Sequence, residues 1–153
     1  MNNIHNPSSL AAQRGEPSYV WRSGQERRLQ MVLTQVDLEN KRVLDAGCGN
    51  GLYTAKFIEH CHAQAEAFEI EFDRVAEAQF HVPHAIVARG EALPYPDNYF
   101  DVVFSNEVIE HVDNDQQMAA ELVRVTKPGG RIMIFCPNRW YPVEQHGHYW
   151  KGE

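Results

Sequence analysis

The residues with the most chemical consequence in this chain are Asp45-Ala46-Gly47-Cys48-Gly49-Asn50-Gly51, which follow a short apolar run and set three glycines in alternate positions behind a carboxylate. Glycine lets backbone approach a ligand closely and accepts positive φ. In an open parallel sheet ligands lie beyond the carboxyl ends of the strands, where strand order reverses, and the first strand's turn is where the backbone must approach them most closely. A nucleotide-type ligand is the expected occupant. The spacing is Gly-x-Gly-x-Gly, with Leu52 third after Gly49, whereas the dinucleotide fingerprint is Gly-x-Gly-x-x-Gly, which seats a pyrophosphate on a helix N-terminus. Asp45 adds to this difference, since a carboxylate there repels a pyrophosphate and suits a positively charged amine. A nicotinamide oxidoreductase is therefore disfavoured.

The elements that must position these residues alternate. Ser23 is placed to cap a helix with Glu26 three positions on, and Leu29, Val32, Leu33 and Val36 recur at helical spacing. Tyr19, Trp21 and Arg22 ahead of it are candidates for a lid. After the break DLENK, RVLDAG predicts a strand and LYTAKFIEHC a helix; QAEAFEIE, FDRVAEAQF and HAIVAR predict strand, helix and strand. GEALPYPDNY is a loop, FDVVFSN a fourth strand, and DNDQQMAAELVRVT a helix that KPGG stops before the fifth strand RIMIFCP. The alternation predicts an α/β domain with a parallel sheet.

These segments carry a family resemblance. VLDAGCGNG, AFEIE, EALPYPDNYFDVVFSNEVIEHV and LVRVTKPGGRIMI, in this order and spacing, resemble the class I S-adenosylmethionine-dependent methyltransferases over roughly residues 24 to 140. The resemblance implies a Rossmann-like three-layer sandwich with a mostly parallel central sheet, lacking the last two strands of that fold. It implies an enzyme that passes a methyl group to a hydroxyl of a small molecule or lipid precursor. S-adenosyl-L-methionine is then the implied cofactor. Asp45, Gly47 and the backbone from Gly49 to Gly51 would surround its methionine part, Cys48 and Asn106 would also contact the cofactor, and Glu69 at the end of the second strand would bind the ribose hydroxyls. Ile70 and Leu93 would sandwich the adenine, with backbone from Gly90 to Ala92 facing its edge. Arg89 stands where the family often has an aspartate for the adenine amino group; arginine cannot accept that bond, and Glu91 is the candidate substitute.

Glu107, Glu110 and His111 fall at i, i+3 and i+4, one face if this stretch is helical. Two carboxylates and an imidazole there would hold Mg or Mn and lower the pKa of a coordinated hydroxyl. The same Glu-x-x-Glu-His pattern resembles small-RNA 2′-O-methyltransferases and ubiquinone-pathway O-methyltransferases, in the first of which a later histidine completes the site; His146 or His148 is placed to do so. The alternative is a metal-free site, with the glutamates capping or ion-paired and His111 as a catalytic base in the acceptor pocket.

Composition bounds the rest. The 153 residues are 43% hydrophobic with a formal net charge of −7, enough for one domain with a core and unfavourable for attraction to nucleic acid. We expect a flexible arm over residues 1–18 and a single domain over 19–153, cytoplasmic, with no membrane insertion, no secretory signal and no disulfide or zinc framework in its three cysteines. Trp140, Tyr141, Tyr149 and Trp150, beside Arg139 and Lys151, are expected either to cover the core edge or to stack on a flat acceptor. The chain ends before two more strands could form, so it is expected to be a piece of a longer protein or a five-stranded minimal version. An uncovered fifth strand would favour a homo-oligomer. A non-catalytic cofactor- or partner-binding module is the remaining alternative.

Overall fold

The computed structural model describes residues 22–137. The expected arm, Tyr19, Trp21 and the aromatic segment with His146 and His148 lie outside them. In chain order the elements are α1 (Ser23–Gln35), β1 (Arg42–Ala46), α2 (Leu52–Glu59), β2 (Gln64–Glu69), α3 (Phe72–Ala78), β3 (Ala85–Val87), β4 (Phe100–Asn106), α4 (Asp115–Val125) and β5 (Thr126–Phe135). The strands form one sheet in the order β3-β2-β1-β4-β5, and every pairing is parallel. Strand order reverses between β1 and β4, so the ligand crevice of this architecture falls above β1.

Side-chain alternation along the strands divides the core between two faces. Val43, Ala65, Val102 and Phe104 pack with Leu29 and Val32 of α1 and Tyr53 and Phe57 of α2, while Ala67 packs with Val75 and Ala78 of α3. On the opposite face Leu44, Ala46, Phe68 and Val103 pack with Met118, Leu122 and Val125 of α4. The result is the expected three-layer sandwich. The same period of two places Asp45, Glu69 and Asn106 on the α1–α3 face, at the carboxyl ends of three adjacent strands.

Two local readings of the sequence are corrected. Ser23 is the first helical residue, and the N-cap is Arg22. Gln25, at the third helical position, accepts from the Arg22 amide at 2.8 Å, the half of a capping box that needs no side-chain oxygen at the cap itself. The second correction concerns KPGG. The chain enters β5 at Thr126, directly from α4, and Lys127 to Gly130 form an irregularity within that strand: Phe100 pairs with Thr126, and Val102 with Arg131. Thr126 Oγ1 closes the helix by donating to the Leu122 carbonyl at 2.6 Å. Lys127 holds the bulge to β4 through Asp101, 2.7 Å away. β3 and β5 border the sheet among the described residues, and no described helix is long and apolar enough to cross a membrane.

Candidate functional site

The glycine turn is braced from beneath by β2. The Phe68 carbonyl accepts from the Gly47 and Cys48 amides, both at 3.0 Å, and Glu69 Oε2 accepts from the Gly49 amide at 3.0 Å. The amides of Gly47, Cys48 and Gly49 are thus already engaged, and the glycines are needed for shape. Gly47 has φ +77°, and a Cβ there would lie 2.5 Å from a methyl of Val108, so the segment beyond β4 closes onto it. Gly51 has φ +80° as the N-cap of α2, and a Cβ there would lie 3.1 Å from Ala78 and Val82, so this glycine serves the packing of α2 against α3. Cys48 turns its half-buried side chain toward the α3 cluster, and burial raises its thiol pKa.

Two carboxylates are buried beside this turn. Asp45 is 2% exposed, and its Oδ2 accepts from Thr54 Oγ1 at 2.5 Å. Burial pushes its pKa up to about 7, against the Thr54 hydrogen bonds that lower it, and the Glu69 charge adds to the rise. Glu69 is 8% exposed, and its Oε1 accepts from the amides of Ile70 at 2.7 Å and Glu71 at 3.3 Å. Asn106 Oδ1, on the same face at the end of β4, is buried with no hydrogen-bond partner. An orphaned acceptor beside buried carboxylates needs a donor, which a cationic amine would supply.

The residues expected at the adenine come from two segments, Ile70 directly after β2 and Leu93 in the loop between β3 and β4. Ile70 is 57% exposed, whereas Leu93 is 6% exposed and built into the α4 core cluster. The Ala92 amide donates to the Arg89 carbonyl at 3.1 Å in a tight turn, so it is not a free donor. Glu91 Oε1 accepts from the Asp113 amide at 3.1 Å and lies 3.6 Å from Arg89, which itself bonds Asp113 at 2.5 Å. Glu91 therefore ties its loop to the residues preceding α4, and hydrogen bonds to backbone amides there help lower its pKa.

The helical face expected of Glu107, Glu110 and His111 does not form. These residues lie in bends and turns between β4 and α4, and Glu107 adopts φ +57°, a left-handed conformation uncommon outside glycine. Its amide donates to the Phe135 carbonyl at 2.7 Å, which turns the chain off the sheet. Its carboxylate accepts from Arg28 of α1 at 2.6 Å; Glu110 and His111 are exposed. Among the described residues no three His, Cys, Asp or Glu side chains gather as a metal site, so the four-residue set expected from the sequence is not assembled here, and its His146 lies outside them.

Sequence reasoning missed Arg28, Tyr53, Thr54, Glu121 and Arg124. Tyr53 is 8% exposed; burial raises its pKa, and the nearby Arg28 opposes the rise. Arg28 ties α1 to the segment after β4 through Glu107. Thr54 was legible as the first-turn hydroxyl of the helix that starts behind the glycines; Arg28 left no local signal.

The chain matches the family model described as "Methyltransferase domain" over residues 44–134. It is 35% identical over 99 residues to a "Probable S-adenosylmethionine-dependent methyltransferase" of Mycolicibacterium smegmatis, covering 63% of this chain and 38% of that protein. It is 30% identical over 114 residues to the ubiquinone/menaquinone biosynthesis C-methyltransferase UbiE of Burkholderia cenocepacia, covering 68% and 46%. The chain thus spans less than half the length of these relatives. Among solved structures, the YcgJ protein of Bacillus subtilis aligns with TM-score 0.64 at 24% identity, covering 71% of this chain and 50% of that one. The [4+2]-cyclase SpnF aligns with TM-score 0.71 at 23% identity, covering 84% and 55%. These structures share the fold, and a cyclase among them shows that the fold leaves the reaction open. The family match runs from β1 into β5 and takes in the glycine turn, both buried carboxylates and the loop over the sheet: the chain belongs to the methyltransferase domain family, whose cofactor is S-adenosylmethionine.

Proposed function

We propose that this domain binds S-adenosylmethionine and directs its methyl group to a small-molecule acceptor, at a hydroxyl of a small molecule or lipid precursor. The observation that carries the reading is the orphaned Asn106 Oδ1 on the same sheet face as buried Asp45 and Glu69, at the carboxyl ends of the strands around the point where strand order reverses. These groups fit the cofactor: Asn106 and Asp45 would receive its ammonium, and Glu69 its ribose hydroxyls. A carboxylate offers about four lone-pair sites and Glu69 uses three on backbone amides, so one hydroxyl adds directly and a second replaces the 3.3 Å bond from Glu71. The bound cofactor supplies an already activated methyl, which leaves this chain to align the acceptor and exclude water. Tyr53, Arg28 and Glu107 supply the polar rim on the α1 side, and exposed His111 is the candidate base.

A second reading, transfer to an activated ring carbon, is favoured by the likeness to a relative named as a C-methyltransferase. Calorimetric titration with S-adenosylhomocysteine and NAD tests the binding step: uptake of the first and not the second is expected, and the reverse overturns the reading. Incubation with carbon-13 methyl-labelled cofactor and cell extract tests transfer. The chemical shift of the labelled methyl in the product separates an O-methyl from a C-methyl group.

A further inference from the structure

The loop between β3 and β4 contains Leu93-Pro94-Tyr95-Pro96-Asp97, where each proline lacks an amide donor and the Leu93 and Tyr95 carbonyls lie outside any strand. One arginine takes up both carbonyls. Arg124 of α4 donates to the Leu93 carbonyl at 3.0 Å and to the Tyr95 carbonyl at 2.8 Å, and pairs with Asp97 at 2.7 Å. Its fork is held by Glu121 one turn earlier, through Nε to Oε1 at 2.7 Å and NH2 to Oε2 at 2.9 Å. Glu121 Oε2 also accepts from the Leu93 amide at 2.7 Å. Both backbone polar groups of Leu93 are therefore fixed by side chains 28 and 31 residues away. Arg124 lowers the pKa of Glu121, and Glu121 with Asp97 raises that of Arg124. Gly90 is seated on the same helix, since a Cβ there would lie 2.9 Å from the Met118 sulfur.

We propose that Glu121 and Arg124 are positioning residues for the nucleoside end of the cofactor. They touch no ligand themselves, and they set the backbone of residues 93–97 so that Leu93 forms a fixed wall of the nucleobase site. This rests on the reading that S-adenosylmethionine binds with its base at Leu93. A planar fork is required because one side chain must satisfy two carbonyls and two carboxylates at once; an ammonium group lacks that geometry.

The test compares the wild-type chain with Arg124→Lys and Glu121→Gln, titrated with S-adenosylhomocysteine and with its nucleobase-free counterpart S-ribosylhomocysteine. Arg124→Lys is expected to weaken the adenine-bearing ligand about tenfold, the scale of one charge-assisted hydrogen bond, while the base-free ligand changes by less than about twofold. Hydrogen exchange at the Leu93 amide supplies the second measurement: it should accelerate in Glu121→Gln while the α4 amides keep their protection. Equal loss for both ligands, or rescue by lysine to wild-type affinity, overturns the assignment, as does unchanged exchange at Leu93. Failure of the wild type to bind S-adenosylhomocysteine overturns the functional reading itself, and the positioning role with it.

Discussion

The two halves of the site are built by opposite means. At the ends of β1 and β2 the carboxylates Asp45 and Glu69 are 2% and 8% exposed and held by a hydroxyl and by backbone amides of their immediate surroundings. Beyond β4 the carboxylate of Glu107 is 30% exposed and held by an arginine 79 residues away whose side chain is 35% exposed. The first half is fixed by backbone conformation and burial, and it has one shape before any ligand arrives. The second depends on an ion pair in contact with water, worth little energetically, so it can exchange partners as an acceptor enters. In the function proposed above, the first half would hold the cofactor and the second would form the acceptor rim.

Substitutions in the first half should cost the most. Gly47→Ala combines a left-handed backbone with a Cβ 2.5 Å from Val108, and should lower stability by about 2–5 kcal/mol in urea denaturation while abolishing S-adenosylhomocysteine binding. Adding Val108→Ala should recover the overpacking share and leave the conformational share. A single variant with wild-type stability would mean that the turn does not close as described. Glu69→Gln should come next. The amide keeps one acceptor oxygen and points an NH2 at backbone donors, for an expected loss of about 1–3 kcal/mol and at least tenfold in ligand affinity. Glu107→Gln, assayed beside it, should be nearly silent in denaturation, and an equal loss in the two would erase the contrast.

That contrast also explains what was legible in the sequence. Phe100 to Asn106 was readable as a strand to the residue, and Gly47 to Gly51 as a turn, because β-period and glycine are local signals. NEVIEH misled because i, i+3 and i+4 spacing describes a helical face only where the backbone is helical, and here the chain leaves β4 through a left-handed Glu107. The Lys127 to Gly130 bulge hid behind a motif that stops helices equally well. Glu91 also holds the Asp113 amide, a contact 22 residues away that no local pattern encodes. Arg28, Glu121 and Arg124 act across 79, 28 and 31 residues, and no periodicity encodes such contacts.

Asp45→Asn should have a smaller effect, of a sign that depends on pH. The folded-state pKa of Asp45, about 7, exceeds the ordinary carboxylate value, so the folded chain holds a proton that the unfolded chain has lost. Its contribution to stability is full below about pH 4 and is lost as pH rises to about 7. The asparagine variant should lack this slope and be more stable than wild type at pH 8 by about 1 kcal/mol, with a weakened Thr54 bond offsetting part of the gain. Affinity for the ligand's ammonium should rise through neutral pH in the wild type, because binding favours the ionised carboxylate, and stay flat in the variant. A parallel pH profile of melting temperature in the two proteins would remove Asp45 as the titrating group.

The smallest effect on stability belongs to Arg28→Ala. With both partners about a third exposed, the ion pair should contribute within about 0.5 kcal/mol, and that difference should shrink as salt screens it. Binding of S-adenosylhomocysteine should hold, because the carboxylates proposed to hold it, Asp45 and Glu69, are anchored elsewhere. The acceptor should feel the change, through a raised KM with kcat little altered once it is saturating, since a rim contact made equally in ground and transition states affects binding alone. A kcat loss with unchanged KM would instead move Arg28 from the rim to the reacting atoms, and the division of the site into a fixed half and an adjustable half would have to be redrawn through α1.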